Sequence, residues 1–154
     1  MFIFVVKMKY CYDYPHPAVT VDAAVFKKEN GVVRILLIRR GSEPYKNCWA
    51  LPGGFVEIDE TLEVAVAREL FEETGLTGVS LNQLHTFGNP GRDPRERTIS
   101  VVFVGICKTN TLVEGADDAV EAQWFSIEKL PNLAFDHESI VAKAIEWFNS
   151  EKNN

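Results

Sequence analysis

Two near-continuous apolar runs of strand length, residues 19–26 (VTVDAAVF) and 32–38 (VVRILLI), flank the polar stretch Lys27-Lys-Glu-Asn-Gly31. β-Branched runs on either side of such a stretch predict a hairpin in which Gly31 takes positive φ. Residues 39–47 are polar and carry Gly41 and Pro44, which predicts a loop. Trp49-Ala-Leu then meets a hard turn at Pro52-Gly53-Gly54, before a short strand at 55–57. From Thr61 to Thr74 the period becomes helical, with Asp59 or Thr61 as N-cap and Gly75 placed to end the helix in the left-handed conformation. Residues 79–87 and 98–106 (TISVVFVGI) predict two further strands, joined by a Gly/Pro/Arg-rich loop over 88–97. An acidic loop at 114–118 precedes a last strand over 121–125. The closing helix, 137–149, carries Ile140, Ala144 and Phe148 on one stripe with Val141 and Ile145 beside it. Strands interleaved with two well-separated helices predict an α/β fold, a mixed β-sheet covered on both faces.

The length of 154 residues suits one domain. Apolar residues at 46% and charged residues at 25% exclude a disordered, collagenous or coiled-coil chain. With 16 Lys+Arg against 22 Asp+Glu the net charge is −6, the wrong sign for nucleic-acid or anionic-membrane partners, and neither is expected. A small anionic substrate stays open, because a bound cation inverts the local field. Cys11, Cys48 and Cys107 have neither disulfide-framework nor zinc-ribbon spacing, which fits thiols in a reducing cytoplasm. The apolar start is too short for a signal peptide, and no run approaches the roughly 20 apolar residues of a membrane helix. A cytoplasmic protein is expected.

The chemistry concentrates on the first helix. At about 100° per residue, Glu72 falls roughly 60° to one side of Glu69 and Glu73 roughly 40° to the other, so three carboxylates share one wedge. Val64, Val66, Ala67, Leu70 and Phe71 fall on the other side, where packing against a sheet is expected, and Arg68 borders the wedge. Clustered carboxylates repel one another unless a cation sits among them, and hard oxygen donors suit Mg²⁺ or Mn²⁺. A bare Glu-x-x-Glu-Glu is more often a solvated helix face, and only its surroundings change that.

Those surroundings run Gly54, five residues, Glu60, seven residues, then Arg68-Glu69-Leu70-Phe71-Glu72-Glu73-Thr74-Gly75-Leu76. This resembles, position for position, the box of the Nudix hydrolases, G-x5-E-x7-R-E-U-x-E-E-x-G-U with U a bulky aliphatic. Seven strict identities give a chance match of order 10⁻⁸ at a given start. Tyr14-Pro-His-Pro-Ala-Val-Thr-Val-Asp22, Asn89-Pro-Gly-Arg-Asp-Pro-Arg95 and Leu133-Ala-Phe-Asp-His137 resemble the ADP-ribose pyrophosphatase branch. The resemblance implies an α/β/α sandwich over residues 14–150. Residues 1–13 are an extension expected to form an edge strand or a subunit contact, with residues 2–6 as the contact strand of a homodimer.

By the same resemblance Glu69, Glu72, Glu73 and the Gly53 carbonyl are metal ligands, while Glu60 and Arg68 hold the ligands in place. The implied reaction is attack of water on a nucleoside diphosphate linked to another moiety, with ADP-ribose giving AMP and ribose 5-phosphate. Alternatives are another nucleotide substrate, such as an oxidised nucleoside triphosphate, a dinucleotide or a nucleotide sugar, or a domain that senses ADP-ribose without cutting it. Candidates for the general base are Glu73, Asp117, Asp118 and Glu121, with Asp118 and Glu121 favoured and Glu72 kept in the catalytic set. Arg92, Pro90, Phe87 and Arg39 are the expected substrate contacts. Arg95 and Arg97 read as solvated. Trp49, Phe87 and Phe135 are aromatic enough to stack on adenine but are more often core. His137 reads as a structural hydrogen-bonder.

Overall fold

The structure, a computed structural model, describes residues 9–151. The proposed contact segment 2–6 lies outside the described residues, and residues 9–17 contain no strand. The hairpin forms as expected and is longer than the apolar runs: β1 spans Ala18–Glu29 and β2 spans Val32–Arg40. Asn30 and Gly31 both take positive φ, 50° and 79°, the requirement of a two-residue turn that follows the strand twist. The remaining elements are β3 (Trp49–Ala50), β4 (Gly53–Phe55), α1 (Leu62–Thr74), β5 (Asn82–Phe87), β6 (Thr98–Ile106), β7 (Ala119–Ser126) and α2 (His137–Glu151).

The seven strands form one mixed sheet in the order β3-β2-β1-β6-β5, with β4 added to β1 and β7 to β2. β1 and β6 are parallel from Ala18↔Thr98 to Phe26↔Ile106, and the other pairs are antiparallel. Alternation along the strands feeds two cores. Phe26, Ile35, Leu37, Val102 and Val104 pack with Ile140, Val141, Ala144 and Phe148 of α2. Val21, Val25, Leu36 and Phe103 pack with Ala65, Val66 and Leu70 of α1. Strands buried on both faces read as continuous apolar runs, which is why 19–26 and 32–38 do not alternate. Phe26, fully buried, contributes roughly 1.5–3 kcal/mol by leaving water.

Two expectations need correction. The strand expected at 55–57 is Gly53–Phe55, so the glycine pair lies inside a strand instead of making a turn. Neither glycine is among those with positive φ. A side chain on Gly53 would strike the Val21 carbonyl and the Asp22 carboxylate, and one on Gly54 would strike the Glu69 carboxylate. These glycines permit close approach. The second correction concerns α1. Val64 and Phe71 are each 55% exposed and Ala67 is also exposed, whereas Glu69 and Glu73 are buried beside Val66 and Leu70. The buried arc of the helix is therefore rotated toward the carboxylates.

β1 changes partners along its length. Its residues 20–22 pair with β4 and its residues 26–29 with β2, so the sheet splays between them. That opening holds the main cleft.

Candidate active site

The cleft encloses about 410 Å³ and takes its walls from β1, the end of β2, β4, α1, the 88–97 loop, the acidic loop and the start of α2. One wall is α1. Its N-terminus is capped by Thr61, whose side chain accepts the Val64 N–H, and Gly75 at φ 73° closes its C-terminus by donating to the Phe71 carbonyl. The acidic loop docks on the last turn: Glu114 N–H and Ala116 N–H donate to the carbonyls of Thr74 and Glu73, at 3.2 Å each. These bonds satisfy helix-end carbonyls and bring Asp117 and Asp118 to the cleft alongside Glu69, Glu72 and Glu73.

Arg68 organises this wall. Its guanidinium donates to both oxygens of Glu60, to Glu69 (2.9 Å), to Glu72 (3.1 Å) and to the Phe55 carbonyl (3.2 Å). The bond from Arg68 holds Glu60 down at about 2. Glu69 is pushed up, by burial more than Arg68 pulls it down. Glu73 accepts the Gly53 N–H at 2.9 Å. Burial first, then the charges of Glu69, Asp22 and Asp118, push Glu73 up to about 8 against that bond. Among the described residues no three His, Cys, Asp or Glu side chains form a ready cation cage. A cation must compete with Arg68 for Glu69 and Glu72. The donors nonetheless fit a hard divalent ion: all are oxygens, they crowd unfavourably by themselves, and Gly54 leaves the space over Glu69 that a Cβ would fill.

Another part of the lining is cationic and aromatic. Arg40 donates from Nε to the Pro44 carbonyl at 2.9 Å and lies 4.9 Å from the centre of the Phe135 ring. Burial, then Arg95, lowers its pKa, and among the described residues no carboxylate pairs with it. Arg95 is held by both oxygens of Asp93 and lies 5.0 Å from the Phe55 ring and 5.6 Å from Phe135. Burial would raise Asp93, but the bonds from Arg95 keep it below the usual carboxylate range. Phe135 has φ 54°, which a bulky residue adopts only when its surroundings impose it.

Of the residues expected from the sequence, Gly53, Glu69, Glu72, Glu73, Asp117, Asp118, Arg92 and Phe135 line the cleft. Arg92 is already engaged. Its fork is bidentate to Asp136 at 2.9 and 2.6 Å, and its side chain is 5% exposed. Arg39 and Glu121 are opposite one another in the β2–β7 register and pair at 3.1 Å, and neither lines the cleft. Phe87 and Trp49 pack on the α2 core, and Pro90 is exposed outside the lining. Arg40, Asp93, Arg95, Phe55, Thr20 and Asp22 were not expected as lining residues. For Asp22 the signal was present: an acid inside an apolar strand is a buried polar group that needs partners. It accepts from Ser100 Oγ, and its other oxygen is 3.6 Å from His137 Nε2. The ring of His137 is buried, which lowers its pKa against the pull of Asp22.

The NUDIX domain profile matches residues 16–148. The ADP-ribose pyrophosphatase of Methanocaldococcus jannaschii is 48% identical over 136 residues, covering 88% of this chain and 78% of that protein. The ADPR responsive transcriptional repressor NtrR of Acinetobacter baylyi is 35% identical over 143 residues, 90% of this chain but only 57% of the repressor. The NUDIX domain of Shewanella oneidensis NrtR, solved with ADP ribose, superposes with a TM-score of 0.83 at 30% identity, covering 89% of this chain and 94% of that one.

Proposed function

Because the chain belongs to the Nudix family, we propose that it hydrolyses the diphosphate of ADP-ribose with the help of a divalent cation, releasing AMP and ribose 5-phosphate. The observation that carries this reading is that one cleft gathers Glu69, Glu72 and Glu73 together with Arg40, Arg95 and Phe135. A diphosphate needs positive charge on both sides. Arg40, anchored by a backbone carbonyl and, among the described residues, without a carboxylate ion-pair partner, supplies one side. A divalent cation would be held by Glu69, Glu72, Glu73 and the Gly53 carbonyl, where it would supply the other positive charge and make an attacking water more acidic. Phe55 is exposed and Phe135 half-buried, and both rings line the cleft, where they offer aromatic surface to adenine.

In the reaction, water adds to one phosphorus, the bond from that phosphorus to the bridging oxygen breaks, and the water proton passes to a carboxylate. Asp118 serves this role better than Glu121, because Asp118 lines the cleft and Glu121 is paired with Arg39 outside it. Three free cysteines are in keeping with a reducing, cytoplasmic setting. No helix among the described residues is long and apolar enough to cross a membrane.

The test is a comparison of kcat/KM across ADP-ribose, a dinucleotide, a nucleotide sugar and a nucleoside triphosphate with Mg²⁺, repeated on Arg40→Ala. ADP-ribose should rank first, and the variant should lose about 10- to 100-fold on it through the missing charge-assisted contact. A preference for triphosphates would refute the substrate assignment. ADP-ribose bound tightly but recovered intact would make the cleft a sensor.

A further inference from the structure

The tripeptide Phe135-Asp136-His137 at the start of α2 touches three parts of the cleft, and its last residue does something the reaction above does not use. His137 is 4% exposed. Its Nδ1 accepts the Leu51 N–H at 3.0 Å, so the neutral ring carries its proton on Nε2, facing Asp22. Leu51 begins the short path into Gly53. Three bonds fix that path: His137 holds the Leu51 N–H, the Ala23 N–H donates to the Pro52 carbonyl at 2.8 Å, and the Gly53 N–H donates to Glu73. Asp22 closes the arrangement from below. It is the register partner of Gly53, and its second oxygen is held by Ser100.

We propose that His137 is a positioning residue for the cation site: it sets the Leu51–Gly53 backbone, and with it the Gly53 carbonyl and the Gly53–Glu73 bond. The inference rests on the reading of Gly53 and the α1 carboxylates as the place where a divalent ion binds. Leu51 is 2% exposed, so without His137 its N–H has no water to turn to. The segment then shifts to find a partner and carries Gly53 with it. Among the described residues no hydrogen bond from His137 reaches a carboxylate of α1; it acts on the site through the Leu51 N–H, with its Nε2 facing Asp22 on the other side.

The experiment measures Mn²⁺ binding without substrate, by electron paramagnetic resonance of the free ion, on the wild type, His137→Leu and His137→Asn. Leucine keeps the volume and removes the acceptor. Asparagine places its amide oxygen near the position of Nδ1. His137→Leu should bind Mn²⁺ about 10- to 100-fold more weakly, while His137→Asn stays within about threefold of the wild type, the range expected when a group that orients a ligand is lost or kept. At saturating Mn²⁺ the turnover of the leucine variant should largely return, with KM for ADP-ribose little changed. Equal Mn²⁺ affinity in the leucine variant and the wild type overturns the proposal, as does an asparagine variant as weak as the leucine one. If the leucine variant does not fold, the wild type still decides the matter. The ring ¹⁵N resonance of His137 must move with the same Mg²⁺ midpoint as the Gly53 amide, and a ring that stays still overturns the proposal. A wild type that binds no Mn²⁺ removes the cation reading itself, an outcome distinct from all of these.

Discussion

Glu73 shows how one side chain ties stability to chemistry. Its carboxyl is pushed up to about 8, from 4.5, by burial and by the neighbouring carboxylates. A carboxyl whose pKa is higher in the folded than in the unfolded chain binds its proton preferentially in the folded state. Its stabilising effect is therefore complete below about 4.5 and is lost as pH rises through about 8. In EDTA the wild type should lose on the order of a few kcal/mol across that window. Glu73→Gln, neutral at every pH, should show a flatter profile and gain stability over the wild type at the alkaline end. Thermal unfolding at several pH values between 5 and 9 checks this, and parallel profiles for the two proteins would refute it. The same substitution removes an anionic donor, so turnover should fall about 100-fold or more with the fold intact. A divalent cation bound among these carboxylates would relieve this crowding.

At the scale of elements, the loop between β5 and β6 is tied to α2 by the bidentate Arg92–Asp136 pair, with Arg92 almost wholly buried. Arg92→Ala and Asp136→Asn should each cost about 2 kcal/mol, because each strands a hydrogen-bonded charge. The double substitution should cost clearly less than their sum. Urea unfolding of the four proteins measures this, and additive losses would show that the pair does not couple loop to helix. What was legible at this scale follows from how local each signal is. Thr61 and Gly75 bound α1 because capping depends on a few adjacent residues, and β6 begins and ends where its apolar run does. β4 was misplaced because Gly53 and Gly54 are required by Val21, Asp22 and Glu69, which are distant in sequence, and a glycine pair by itself signals a turn. The exposed arc of α1 was misassigned because a helical projection gives the angles between residues but not the direction of the sheet. The acidic wall was legible from its spacing on one helix. The cationic wall was not. Arg40 and Arg39 are neighbours with opposite placements decided by the pairing of β2 with β7, and the partner that occupies Arg92 lies 44 residues later.

For the whole molecule, a net charge of −6 conceals a cleft that gathers side chains of both charges. β1 pairs with β4 at one end and β2 at the other, α1 contributes carboxylates to the cleft, and the end of β2, the 88–97 loop and the segment before α2 contribute Arg40, Arg95 and Phe135. Neither wall alone suits a diphosphate. The α1 carboxylates repel it without a cation, and arginine side chains cannot take a proton from water. The claim that the cleft hydrolyses ADP-ribose with a divalent cation held by the α1 carboxylates is tested most directly by following ADP-ribose with ³¹P magnetic resonance, with Mg²⁺ and again with EDTA, on the wild type and on Glu73→Gln. The diphosphate signals should give way to equal amounts of AMP and ribose 5-phosphate only for the wild type with Mg²⁺. ADP-ribose that persists unchanged with Mg²⁺, or that is cleaved equally well in EDTA, would contradict the account.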